Sequence, residues 1–212
     1  MNLLFANDRR GAYPDSWYAA TAAPLPPFAA LQGDTRADVC IVGAGYTGLS
    51  AALYLAQAGV DVVVVEAHRV GFGASGRNGG QVGSGFNKGQ DWLRQRLGAG
   101  HARALWDLAE DAKATIRGLI DDQGIDAGWR DGIAHCCRFD SEVADTQAAA
   151  DMLARDYGYD RITPLDSAQL AGLIGTNVYA GGTLDRGAGH IHPLRFALGL
   201  ASVATDAGVR VY

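Results

Sequence analysis

An α/β fold is predicted by three features that occur together in the first third of the chain. A short apolar run, Val39-Cys40-Ile41-Val42, ends in Gly43, as a buried parallel strand does. Residues 46–58 then place Leu49, Ala52, Leu53 and Ala56 at three- and four-residue spacing, the period of a helix with one apolar face, and Gly59 stops them. Val62-Val63-Val64-Val65 follows as a second strand. Strand, helix and strand within about thirty residues make one right-handed crossover unit.

The elements around this unit follow from local pattern. Residues 1–36 hold four prolines, Pro14, Pro24, Pro26 and Pro27, among scattered aromatics, a composition suited to an extended arm. Residues 71–89 form a glycine-rich loop. Residues 99–123 align Leu105, Leu108, Ala112, Ile116, Leu119 and Ile120 on one side, which predicts a long helix closed by Gly124. Beyond it the pattern predicts a strand at 132–139, a helix at 140–157, a short helix at 166–174 capped by Asp166, and a strand at 178–184. A helix at 193–207 with Pro193 in its first turn and a strand starting at Val209 complete the chain. The expected organisation is an arm (1–36), the crossover unit with its loop (37–80), an inserted α+β section (81–190) and a return to the first domain (191–212). The chain is expected to be truncated at its carboxyl end, inside an element.

Composition removes several function classes. A length of 212 residues is enough to bury a core without disulfides, and 48% apolar with 19% charged residues is ordinary for a globular protein. A net charge of -5 with no basic cluster argues against a nucleic-acid partner. The three cysteines, Cys40, Cys136 and Cys137, offer no disulfide framework, so a reducing, cytoplasmic location is expected. Arg9-Arg10 is not followed by an apolar segment, and residues 49–65 are short and broken by Ser50, Gln57 and Asp61, so neither a signal nor a membrane span is expected. Neighbouring positions on a strand face opposite ways, so His135, Cys136 and Cys137 are expected to pack rather than share a metal. The 29 glycines are about twice the usual ~7%. Close approach of backbone to a ligand accounts for such an excess.

The ligand is indicated by Gly43-Ala44-Gly45-Tyr46-Thr47-Gly48, a G-x-G-x-x-G placed directly between strand and helix. In a Rossmann-type domain the first glycine makes the tight turn, the second admits a pyrophosphate and the third lets helix pack on strand. The anion then sits at the helix N-terminus, where backbone N–H groups and the dipole favour it. Glu66 follows eighteen positions after Gly48, near the ~20 expected of the carboxylate that holds the adenosine ribose. A carboxylate there also repels a 2′-phosphate.

The fingerprint does not separate FAD from NAD, but the next segment does. In Gly71-Phe72-Gly73-Ala74-Ser75-Gly76-Arg77-Asn78-Gly79-Gly80, five of ten residues lack a Cβ while Ser75, Arg77 and Asn78 supply donors. A plain NAD fold requires no such loop. With Val63-Val64-Val65-Glu66-Ala67 before it, this segment resembles the D-amino-acid oxidase superfamily of FAD-dependent oxidoreductases. Within that superfamily Ser16-Trp17-Tyr18-Ala19-Ala20-Thr21 and residues 185–193 are most similar to the gamma-glutamylputrescine oxidase branch.

The resemblance implies a Rossmann-type FAD-binding domain with an inserted α+β substrate domain. It places Ala44, Tyr46, Thr47 and Ala67 at the ADP moiety. Ser75, Arg77, Asn78, Gly79 and Gly80 then approach pyrophosphate, ribityl chain and flavin ring, and Gly73 and Ala74 are expected to be cofactor-binding with them. No histidine or cysteine lies in residues 71–81, so the FAD is expected to be noncovalent. The implied reaction oxidises a small-molecule amine to an imine and then aldehyde, with molecular oxygen as acceptor and hydrogen peroxide as product. A sarcosine, glycine or D-amino-acid oxidase or dehydrogenase, and an incomplete FAD-binding fragment without turnover, are the alternatives. His190 and His192 are candidates for proton transfer, although a histidine ahead of a helix-opening proline is expected to pack or cap. Trp92, Trp106 and Trp129 are expected to serve the core rather than a substrate wall.

Overall fold

The structure is a computed structural model, and it describes Arg9 and residues 11–212. The remaining arm positions, 1–8 and 10, lie outside the described residues. The chain separates into two compact units. The first holds the residues up to Gly80, Leu119–Gly128 and Ile191–Tyr212, and the second holds Gln81–Gly118 and Trp129–His190.

In the first unit β1 (Val39–Val42), α2 (Tyr46–Gln57) and β2 (Val62–Val65) form the crossover, preceded by a short helix α1 (Trp17–Thr21) within the arm. Ser16 opens α1, its hydroxyl accepting the Ala19 N–H at 3.2 Å. The sheet is parallel with order β1-β2-β7, where β7 is Arg210–Val211. β2 lies in the middle and is buried, as its four valines require. β1 departs from the expectation of a buried strand: Cys40 and Val42 are exposed, because β1 is the outer strand of this sheet. Beyond β2 the chain makes a single 3-10 turn at Ala74–Gly76.

The helix α7 (Pro193–Asp206) supplies most of the remaining core. Leu194, Ala197, Leu198, Leu200, Ala201 and Ala204 are buried on it, and Leu49, Ala52 and Leu53 are buried on α2. Each fully buried leucine contributes about 2 kcal/mol of transfer free energy. His192 caps α7: its Nδ1 accepts the Arg195 N–H at 3.2 Å, and its Nε2 faces Thr21 Oγ1 at 3.0 Å. Nδ1 can accept only while unprotonated, so the Nε2 tautomer carries the ring hydrogen and donates it to Thr21. Burial and the Arg195 charge hold the His192 pKa below its usual value.

The second unit is built on β6 (Gly181–His190), which pairs antiparallel with β3 (Gln81–Val82), β4 (Arg130–Cys137) and β5 (Ile162–Asp166). Its helices are α3 (Gln90–Leu97), the greater part of α4 (Ala99–Asp122), α5 (Asp140–Tyr157) and α6 (Ser167–Ile174). Asp166 caps α6 as expected, accepting the Gln169 N–H at 2.8 Å while Gln169 Oε1 accepts the Asp166 N–H at 3.0 Å. β4 begins two residues earlier than expected, and β6 runs to His190 rather than stopping at Leu184. Residues 185–190 contain two glycines and three charged or imidazole side chains, so their extended conformation comes from three partner strands rather than from propensity. α3, β3 and β5 are elements that local pattern does not announce.

Cys137 is buried and its thiol donates to Thr146 Oγ1 at 3.3 Å, whereas Cys136 takes the opposite orientation on the strand. Among the described residues no cluster of His, Cys, Asp and Glu could hold a metal. Trp106 is core, but Trp92 is exposed and Trp129 is half-buried, its ring under the Arg117 guanidinium at 5.0 Å. The core expectation therefore holds for one tryptophan of three, since Trp92 lies on an α3 whose sequence is mainly polar.

Candidate cofactor site

The G-x-G-x-x-G turn folds as its spacing demands. Gly43 has φ +101°, a conformation side chains avoid, and its N–H donates to Val65 O at 2.8 Å, which ties the turn to β2. A Cβ on Gly48 would lie 2.1 Å from Gly43 O and 3.2 Å from the Ile41 side chain, so this residue sets the closeness of α2 to β1. Gly45 also has a near neighbour, but a protein one: its Cβ would stand 2.9 Å from Ser75 Oγ.

Ser75 reaches this point because the 3-10 turn lies against α2. Its Oγ accepts the Tyr46 N–H, the first of α2, at 3.0 Å. The serine thus occupies the helix N-terminus with an oxygen, as an anion would. Glu66 stands opposite. Its Oε2 accepts the Ala44 N–H at 2.7 Å and its Oε1 the His68 N–H at 2.9 Å. Each carboxylate oxygen has two acceptor positions, so both retain capacity for a hydroxyl donor.

Between these groups is an open cavity of about 550 Å³. Nine of the expected residues line it: Gly43, Ala44, Gly45, Glu66, Ala67, Gly73, Ala74, Ser75 and Arg77. His68 and Phe72 line it too and were not anticipated, although Phe72 is the one aromatic in residues 71–80. Their rings stack with centroids 3.8 Å apart and planes 4° from parallel, and the Arg77 guanidinium lies over the Phe72 ring at 4.4 Å. Arg77 Nε donates to Phe72 O at 2.7 Å.

Six expected residues take other positions. Tyr46 turns away, its hydroxyl donating to Pro193 O at 2.9 Å, and burial raises its pKa to about 12. Thr47 and Gly48 sit within α2. Asn78 braces its own loop, donating to Ala74 O and Ser75 O at 3.0 and 3.1 Å and accepting the Gly80 N–H at 2.8 Å. Gly79 and Gly80 close that loop, Gly80 O accepting the Ile191 N–H at 2.9 Å.

Backbone amides at a helix start, a carboxylate at the end of the next strand and a bare-backbone cavity between them fit the pyrophosphate and ribose of a dinucleotide. The matching family model is described as FAD dependent oxidoreductase and covers residues 38–212, so the chain belongs to that family. Members of it use FAD, and the cavity is lined by the backbone of Gly43, Ala44 and Gly45 and by the polar side chains of Glu66, Ser75 and Arg77. The chain is 40% identical over 200 residues to gamma-glutamylputrescine oxidoreductase of Escherichia coli, covering 94% of this chain and 47% of that protein. It is 39% identical over 197 residues to the probable oxidoreductase OrdL of Rhizobium meliloti, covering 93% and 46%. It spans about half the length of these curated relatives. Glycine oxidase from Geobacillus kaustophilus shares the fold with a TM-score of 0.65 at 24% identity, over 83% of this chain and 46% of that one. L-amino acid deaminase from Proteus myxofaciens does so with a TM-score of 0.70 at 21% identity, over 91% and 41%.

Among the described residues no helix is long and apolar enough to cross a membrane.

Proposed function

We propose that the chain holds noncovalent FAD and serves the oxidation of a small amine of the gamma-glutamylputrescine type, with molecular oxygen as acceptor. The observation that carries the cofactor part is the 550 Å³ cavity between the α2 N-terminus and Glu66. The α2 amides and Ser75 Oγ would take the pyrophosphate, and Glu66 would take the ribose hydroxyls. Arg77, already over Phe72, would add a positive charge facing the phosphates. Ala67, Gly73 and Ala74 would line the nucleotide, with Tyr46, Thr47, Asn78, Gly79 and Gly80 fixing the backbone around it. FAD, when bound, supplies the acceptor for the hydride leaving a carbon next to nitrogen.

The substrate class rests on the 40% identity to an enzyme named for gamma-glutamylputrescine. Catalysis by His192 is disfavoured, because both its ring nitrogens are engaged in holding α7 and the arm. His190 lies in β6, opposite Gln81 and Arg130, and no role is assigned to it.

The test is peroxide release by the FAD-loaded protein offered gamma-glutamylputrescine, putrescine, sarcosine, glycine and D-alanine. Turnover of gamma-glutamylputrescine above the rest is expected. Preference for sarcosine, glycine or D-alanine would move the chain to the sibling oxidases. FAD uptake without any turnover would restrict the reading to cofactor binding.

A further inference from the structure

We propose that the amino-terminal arm builds the wall of the adenine pocket, making residues 25–28 part of the cofactor site. The proposal rests on the FAD reading and extends it to residues outside the fingerprint.

The order of groups in the dinucleotide fixes where its base must go. Pyrophosphate at the α2 amides and ribose at Glu66 leave the base on the far side of Glu66 from Gly43. A second cavity of about 180 Å³ lies there, and it shares Glu66, Ala67 and His68 with the first. Its inner side is formed by Val70, Leu198 and Val211, and its outer side by Leu25, Pro26, Pro27 and Phe28 of the arm. Glu66, His68 and Arg69 add polar groups to this apolar lining, a combination that suits a planar heteroaromatic base.

The arm is held where a wall needs to be rigid. Tyr13 Oη donates to Val70 O at 2.7 Å, and Arg69 Nη2 donates to Leu25 O at 2.5 Å while its guanidinium lies 5.1 Å from the Tyr13 ring centre. The Val70 and Arg69 ends of these contacts belong to the turn that carries Glu66, so arm and ribose anchor are fixed to each other. Pro24, Pro26 and Pro27 restrict φ and reduce the entropy lost in ordering the segment. An arm that merely covered Leu198 and Val211 would contribute to stability without discriminating between ligands.

Titration of the apoprotein with FAD and with FMN, which lacks the adenosine, separates these roles. Phe28 is 36% exposed, so Phe28→Ala is expected to leave the fold intact. The variant should bind FAD roughly three- to tenfold more weakly, with FMN affinity unchanged. Irradiation of the wild-type protein with 8-azido-FAD should label the tryptic peptide of residues 11–36. Equal losses for FAD and FMN, no loss for either, or labelling confined to other peptides would overturn the assignment of the arm. Wild-type protein that takes up no FAD would instead overturn the cofactor reading beneath it.

Discussion

Each unit gathers polar side chains at one place, and the two places differ in what they leave unsaturated. In the second unit Asp185 accepts from Ser84 Oγ at 2.6 Å, Tyr159 Oη at 2.7 Å and the Gly187 N–H at 2.9 Å. Lys113 Nζ donates to Ser84 Oγ at 2.7 Å and to Gly187 O at 3.2 Å, and pairs with Glu110 at 2.9 Å. Burial pushes the Tyr159 phenol far above its usual pKa, so it stays a neutral donor to Asp185. Apart from Glu110 Oε1, which is buried without a hydrogen-bond partner among the described residues, the cluster is internally hydrogen-bonded, and a Cβ on Gly187 would stand 2.2 Å from the Tyr159 hydroxyl. In the first unit Ser75, Glu66 and the backbone of Gly43, Ala44 and Gly45 line an open cavity instead. A group of polar residues marks a binding site when donors, acceptors and space remain together, and a fold clamp when they are consumed.

The comparison can be broken by substitutions on either side. Gly48→Ala has the largest expected effect, because its Cβ meets a backbone oxygen that cannot rotate away. Urea unfolding should show a loss of roughly 3 kcal/mol, with FAD uptake abolished. In the clamp, Asp185→Ala removes the acceptor of Ser84 Oγ, Tyr159 Oη and the Gly187 N–H, and a loss of about 2 kcal/mol is expected in the same measurement. FAD affinity of the folded fraction should be unchanged, and a large drop would show that the cluster belongs to a ligand site. Glu66→Gln keeps an acceptor for the Ala44 N–H but loses the charge facing the ribose. FAD should bind about tenfold more weakly by titration, and because the amide NH2 would face the His68 N–H that Oε1 accepts, unfolding should show a loss of about 1 kcal/mol.

The smallest effect is a pH dependence. The folded pKa of His192 is depressed, so the unfolded chain binds the extra proton more readily. Its contribution is complete above the unfolded value near 6.5 and is lost as pH falls from there through the folded value. The urea midpoint should therefore drop between pH 7.5 and 5.5. His192→Asn, which retains a cap, should remove that part of the drop.

The crossover unit was legible because three periodicities, a glycine fingerprint and a carboxylate agree within residues 39–66. Of the cavity lining, Gly43, Ala44, Gly45 and Glu66 were legible for the same reason and Gly73, Ala74, Ser75 and Arg77 from the glycine-rich loop, whereas His68 and Phe72 were not. The roles inside it were less so: Ser75 and Asn78 are donors by residue type, yet they hold the α2 N-terminus and the loop backbone. Hydrogen-bond partners depend on which turn the loop adopts, and composition does not specify it. β5 and the second half of β6 escaped because Pro164 and the glycines of residues 181–189 oppose strand propensity, which pairing overrides. The arm read as a spacer because its prolines describe stiffness but not what they rest against.

The account depends most on the space between the α2 amides and Glu66 being a flavin dinucleotide site. Purified protein should be saturated with FAD, washed free of excess, denatured, and its released ligand identified by mass and counted against protein. One FAD per chain, displaced by ADP but not by riboflavin, is the expected result. A protein that retains no FAD, or from which riboflavin displaces it while ADP does not, would show that this space is not a flavin dinucleotide site.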